Sequence, residues 1–143
     1  MKRWLPIFAV LAFLYYFGLI GCGGSDFSSE LCGGYYVYET STHQVHVSPP
    51  SWNSDTPRIP EKVVDLGHDD RFIIAKQNHL KRRNLRPSDT YMEPDPGVYS
   101  YWILDTSIPK VYGPLTEEEF KKTRRDLGVP IELKMKDVHS FRE

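Results

Sequence analysis

The sequence predicts an α+β fold: a small antiparallel sheet of five to seven short strands built from hairpins, with one C-terminal helix packed on it. Three observations predict it. Lys62 to Leu66 and Arg71 to Lys76 are dense in apolar residues on either side of Gly67-His68-Asp69-Asp70, the pattern of a central hairpin. Tyr99 to Asp105 repeats that density as a third strong strand. Residues 117–127 then carry a full set of helix start and stop signals.

The chain opens on Met1-Lys2-Arg3, followed by an uninterrupted run of 17 apolar or neutral residues from Trp4 to Ile20. A short positive stretch before an apolar one is the layout of a secretory signal. A spanning helix needs about 20 apolar residues, and this run carries Pro6 and Gly18 inside it, so a permanent membrane span is the weaker reading. Leu19-Ile20-Gly21-Cys22 closes it and resembles the lipobox of bacterial lipoproteins. There the cysteine receives a diacylglyceryl group and the chain is cut between Gly21 and Cys22. Small residues let the peptide lie extended in a peptidase groove, and the thiol is the nucleophile that forms a stable thioether. The expectation is a leader over 1–21, a flexible tether over 22–30 in which Gly23-Gly24-Ser25 sets the composition, and a single domain over 31–143. Two acyl chains give stable anchoring where one does not.

Tyr35 to Glu39 and Gln44 to Val47 are aromatic and β-branched and flank Thr40-Ser41-Thr42-His43, which reads as a first hairpin. Residues 48–60 hold Pro49, Pro50, Pro57 and Pro60 and read as a loop, because proline cannot donate to a ladder. Residues 77–97 read as a second irregular segment. Lys110-Val111-Tyr112 can pair back on Tyr99 to Asp105. Thr116 as N-cap with Glu119 forms a capping box, Leu115 can staple onto Phe120, and Gly128 and Pro130 end the helix. Ile131 to Met135 alternates apolar and charged residues and reads as a final edge strand.

Lys and Arg number 18 against 19 Asp and Glu, a net charge of −1. Loss of Lys2 and Arg3 with the leader makes this −3, which is no nucleic-acid-binding profile. With Cys22 in a thioether, Cys32 has no intramolecular partner; the competing reading is a Cys22–Cys32 bridge in an unlipidated secreted protein.

His43 and His46 are the one close histidine pair, but residues three apart on a strand point to opposite faces. His68-Asp69-Asp70 offers an imidazole beside two carboxylates, the types used in general acid–base work, yet also the types a turn selects. No nucleophile elbow, Cys-x-x-Cys, phosphate loop or zinc-binding helix motif occurs. Lys81, Arg82, Arg83 and Arg86, with His79, form one local basic cluster that could touch lipid headgroups, wall polymers or a partner. Tyr35, Tyr36, Tyr38, Tyr99, Tyr101 and Trp102 could line a ligand face, although packing across a small sheet also uses such residues.

Asp69 to Gln77, Tyr101 to Asp105, Val111 to Thr116 and Leu127 to Pro130 resemble a family of small lipoproteins of unknown function from spore-forming Gram-positive bacteria. The resemblance implies the outer leaflet of a cell membrane and brings no catalytic residues. The expected function is therefore a lipid-anchored, extracytoplasmic, non-enzymatic binding module without cofactor, metal site or catalytic residues, whose partner is a protein or an envelope polymer. The alternatives are an envelope enzyme or metal-binding protein using His68, Asp69 and Asp70 or His43 and His46, and an inhibitor or immunity lipoprotein.

Overall fold

In the computed structural model, which describes residues 26–142, antiparallel strands form two sheets. The first holds β1 (Phe27–Glu30), β2 (Tyr36–Ser41) and β3 (Gln44–Ser48) in that order. The second runs β7-β6-β5-β4-β8, from β4 (Val63–His68), β5 (Phe72–Arg82), β6 (Met92–Asp105), β7 (Lys110–Leu115) and β8 (Lys136–Asp137). Helix α1 spans Glu117–Leu127, and a 3-10 helix, Val138–Phe141, follows β8. The predicted α+β class holds, but the strands divide between two layers where one sheet was expected.

Side-chain alternation explains the layers. On β5 and β6, Ile73, Ala75, Trp102 and Leu104 point one way and pack with Val37, Val45 and Val47 of the three-stranded sheet. Phe72, Ile74 and Ile103 point the other way and meet Phe120 of α1 and Val129. The five-stranded sheet is thus a filling between the small sheet and the helix, so residues 72–75 are buried on both faces and read as a continuous apolar run. The first hairpin lies over this sheet because Val37, Val45 and Val47 make its inward face largely apolar, with the Glu39 carboxylate as the exception, and the proline-rich 48–60 segment carries the chain between layers. That segment is also tied down: Ile59 is buried and bridges Val47.

Helix α1 begins and ends where its signals place it. Thr116 Oγ1 accepts from Glu119 N–H at 3.2 Å and the Glu119 carboxylate accepts from Thr116 N–H at 2.8 Å. Gly128 ends the helix in the left-handed conformation at φ 73°.

Three boundaries differ from expectation. Phe27–Glu30, assigned to the tether, pairs with β2 from Phe27↔Glu39 to Glu30↔Tyr36. Phe27 packs against the core with the Arg142 guanidinium 5.2 Å above its ring, an attachment made by a residue at the far end of the chain. The 77–97 segment is mostly strand: β5 continues to Arg82 and pairs with β6 from Leu80↔Pro94 to Arg82↔Met92. Prolines are tolerated there because β7 joins β6 only from Tyr101 onward, leaving the earlier stretch an edge. Residues 131–135 form no strand; Arg124 Nη2 donates to Pro130 O at 2.7 Å and Leu133 O at 2.9 Å, holding them in turns, and pairing with β4 waits until Lys136 and Asp137.

Candidate functional site

Two surfaces stand out, and the inward-outward alternation of the first hairpin builds one of them. With Val37, Val45 and Val47 inward, Tyr36, Tyr38 and His46 are left on the outer face of the small sheet. His46 lies directly opposite Tyr38, and their rings stack at 5.5 Å. Tyr36 lies 5.9 Å from Tyr38, and Trp52 meets His46 edge-on at 6.0 Å. The Arg58 guanidinium sits 4.2 Å over the Trp52 ring, within cation–π range. Burial among these rings pushes the His46 pKa down, opposed by Glu61 and reinforced by Arg58.

The second surface is a cleft of about 620 Å³ at the β2–β3 turn, between Ser41 to Gln44 and the hairpin formed by the outer ends of β5 and β6. His43 meets Tyr91 edge-on at 5.9 Å there, and its buried Nδ1 has no hydrogen-bond partner. Glu61 also lines the cleft.

The β5–β6 arm beside the cleft carries the basic cluster, and the structure divides it. Asp89 organises the tip: its carboxylate takes Arg83 Nε at 2.9 Å, Tyr91 N–H at 3.0 Å and Leu85 N–H at 3.4 Å. The Arg83 bond, then the Tyr91 amide, hold the Asp89 carboxyl below its ordinary pKa. Lys81 pairs with Asp95 at 3.5 Å. Arg82 and Arg86 are exposed and stand in none of the ion pairs found among the described residues.

His68, Asp69 and Asp70 lie together at the β4–β5 turn, with Asp69 occupied by the turn itself. Its Oδ1 accepts Arg71 N–H at 2.8 Å and Phe72 N–H at 2.7 Å, the Asx-turn geometry. Cys32 is a free, half-buried thiol with Sγ 4.0 Å from Thr106 Oγ1, its pKa raised first by burial. His43 and His46 go separate ways, one to Tyr91 and one to the aromatic row. Among the described residues no group of three or more His, Cys, Asp or Glu is placed to hold a metal ion, and no helix is long and apolar enough to cross a membrane. Gly21 and Cys22 lie outside the described residues.

The aromatic candidates sort by layer. Tyr35 and Trp102 are buried, Trp102 Nε1 donating to Gln77 Oε1 at 2.7 Å. Tyr101 stacks on Phe120 at 5.0 Å, while Tyr99 is exposed under the Lys76 ammonium. Tyr36 and Tyr38 alone of the six join the outer row. Trp52 and Arg58 complete it and were missed, because both sit in a segment whose prolines mark it as a loop; the tryptophan among polar residues was the available signal.

No curated protein and no solved structure matches the chain. A family model described as "Protein of unknown function (DUF3997)" matches residues 32–139, from the loop after β1 into the 3-10 helix. The chain belongs to this family of unknown function.

Proposed function

We propose that the protein is a binding module anchored through a diacylglyceryl group on Cys22 at the extracytoplasmic face of a cell membrane, acting by contact with a protein or wall polymer. On this reading residues 1–21 are a leader removed before Cys22, and the folded part starts at β1.

The observation that carries the binding role is the outer row of Tyr36, Tyr38, His46, Trp52 and Arg58. The opposite face of the small sheet already supplies its core contacts, so the fold does not need four rings on the outer side. Flat aromatic groups with polar tips and a stacked arginine form the composition that dominates binding energy at protein interfaces. The anchor is supported by Leu19-Ile20-Gly21-Cys22 after its apolar run.

The test is expression of the full chain in a lipoprotein-competent bacterium, as wild type, Cys22→Ala and Tyr38→Ala/Trp52→Ala. The reading expects wild type in the membrane at the mass of residues 22–143 plus diacylglyceryl, and surface crosslinks that the aromatic double variant loses. A soluble product or one retaining residues 1–21 overturns the anchor; unchanged crosslinks overturn the row. A hydrolytic activity abolished by His68→Ala or Asp70→Ala would replace the module with an enzyme.

A further inference from the structure

We propose that the tip of the β5–β6 arm is a second membrane contact, placing Arg82 and Arg86 among anionic lipid headgroups and Leu85 at the headgroup–acyl boundary. The inference rests on the Cys22 anchor for its orientation.

The geometry begins with the length of chain left for the tether. Because β1 starts at Phe27, four peptide links separate Cys22 from Asp26, at most about 14 Å when fully extended. An anchor on Cys22 therefore holds the start of β1 close against the bilayer. Phe27 pairs with Glu39, two residues before the end of β2, so the chain joins the small sheet at its β2–β3 turn end. The arm flanks that same turn: Leu80, Thr90, Tyr91 and Met92 face Ser41 to Gln44 across the cleft. The arm tip and the attachment point thus share one end of the molecule.

The tip has the chemistry of an interfacial contact. Leu85 is 73% exposed, and Tyr91 and Met92 are 48% and 44% exposed beside it. Residues 82–92 hold three arginines and one aspartate. Asp89 is consumed inside the tip by Arg83 and two backbone amides, and Arg82 and Arg86 stand in none of the ion pairs among the described residues. The same bonds fix the tip as a rigid projection, and the Arg83 guanidinium stacks 4.6 Å from the Tyr91 ring. An anionic surface attracts such a group about fivefold per free arginine, and the apolar side chains add to that.

A rival basic patch on α1, with Lys121, Arg125 and Lys134 around Ile131, is 82% exposed at that isoleucine. It lies on the far side of the five-stranded sheet from the layer that receives Phe27. That distance makes it the internal control.

The experiment reconstitutes the full-length, processed protein into vesicles of phosphatidylglycerol and phosphatidylcholine, or of phosphatidylcholine alone, with brominated acyl chains. Leu85→Trp and Ile131→Trp are compared for quenching over the wild-type background, and intact mass is taken on each sample. The proposal expects the Leu85→Trp signal to be quenched in phosphatidylglycerol, with the effect lost in Arg82→Gln/Arg86→Gln and absent for Ile131→Trp. Equal quenching at the two positions on lipidated protein overturns the arm contact and leaves the anchor intact. A mass without diacylglyceryl together with selective quenching at position 85 overturns the anchor and retains the contact. Protection of the tip in cells but not in vesicles assigns it to a protein partner and overturns the lipid assignment.

Discussion

Arg71 and Asp105, 34 residues apart, close the junction of β5 and β6 through a bidentate pair, Nε to Oδ1 at 3.1 Å and Nη2 to Oδ2 at 2.7 Å. Ser107 adds its N–H and Oγ to the same Oδ1. The Asp105 carboxylate is almost wholly buried, and the Arg71 bond, followed by those from Ser107, lowers its pKa to about 2.

A carboxyl whose folded pKa lies below its unfolded value of 3.8 contributes stability that is fully present above that value. It is lost as pH falls toward about 2. Urea unfolding should show an acid limb over that window, and Asp105→Asn should flatten it. Asp105→Ala, which strands the Arg71 and Ser107 donors, should lower stability by about 2–4 kcal/mol at pH 7.

Glu39 is a second buried carboxylate, reached by Arg142 and, at 3.6 Å, by His139. Arg142→Ala leaves it without its closest cation. The expected loss is about 2–3 kcal/mol, well above the fraction of a kcal/mol typical of exposed pairs. Denaturant midpoints for Arg142→Ala and Glu39→Gln/Arg142→Ala decide it: the double variant should recover part of the loss.

Gly67 lies where β4 passes under the 131–135 turns, and a Cβ there would fall on the Lys134 carbonyl oxygen. Gly67→Ala should destabilise by about 1–3 kcal/mol. Hydrogen exchange should speed up first in residues 134–141, because the added methyl pushes β8 and the 3-10 helix away from β4.

Thr116→Ala removes one half of the capping box and should cost about 1 kcal/mol, measured by thermal unfolding. Trp52→Ala, in contrast, truncates a side chain 45% exposed and should leave stability within about 1 kcal/mol of wild type while reducing partner capture.

How much of this was legible depended on how far each interaction reaches along the chain. Helix α1 is specified by residues within 14 positions of one another, so Thr116, Glu119, Gly128 and Pro130 were sufficient. The apolar runs of β5 and β6 identified strands, but nothing in them states that one face meets a helix and the other a second sheet. The arm was hidden because Gln77 to Arg82 is polar, and polarity suits a projecting hairpin as well as a loop. Glu39 is the sharpest case: at an inward position of β2 a carboxylate contradicts the pattern, and the residue that makes it tolerable is Arg142, 103 positions on. The outward placement of His46 followed from alternation with Val45 and Val47; its contact with Trp52 did not.

The clasp of Phe27 and Glu39 by Arg142 also bears on how the protein is made. The chain leaves the ribosome from its N-terminus, so the small sheet appears first, yet the guanidinium that covers Phe27 and neutralises Glu39 is synthesised 103 positions after that carboxylate. Until then the hairpin has a carboxylate on its inward face without its closest cation. Closure of this layer therefore waits on the segment that carries Arg142. Nascent chains stalled before Val138 should leave residues 27–48 open to protease, whereas chains released at full length should protect them.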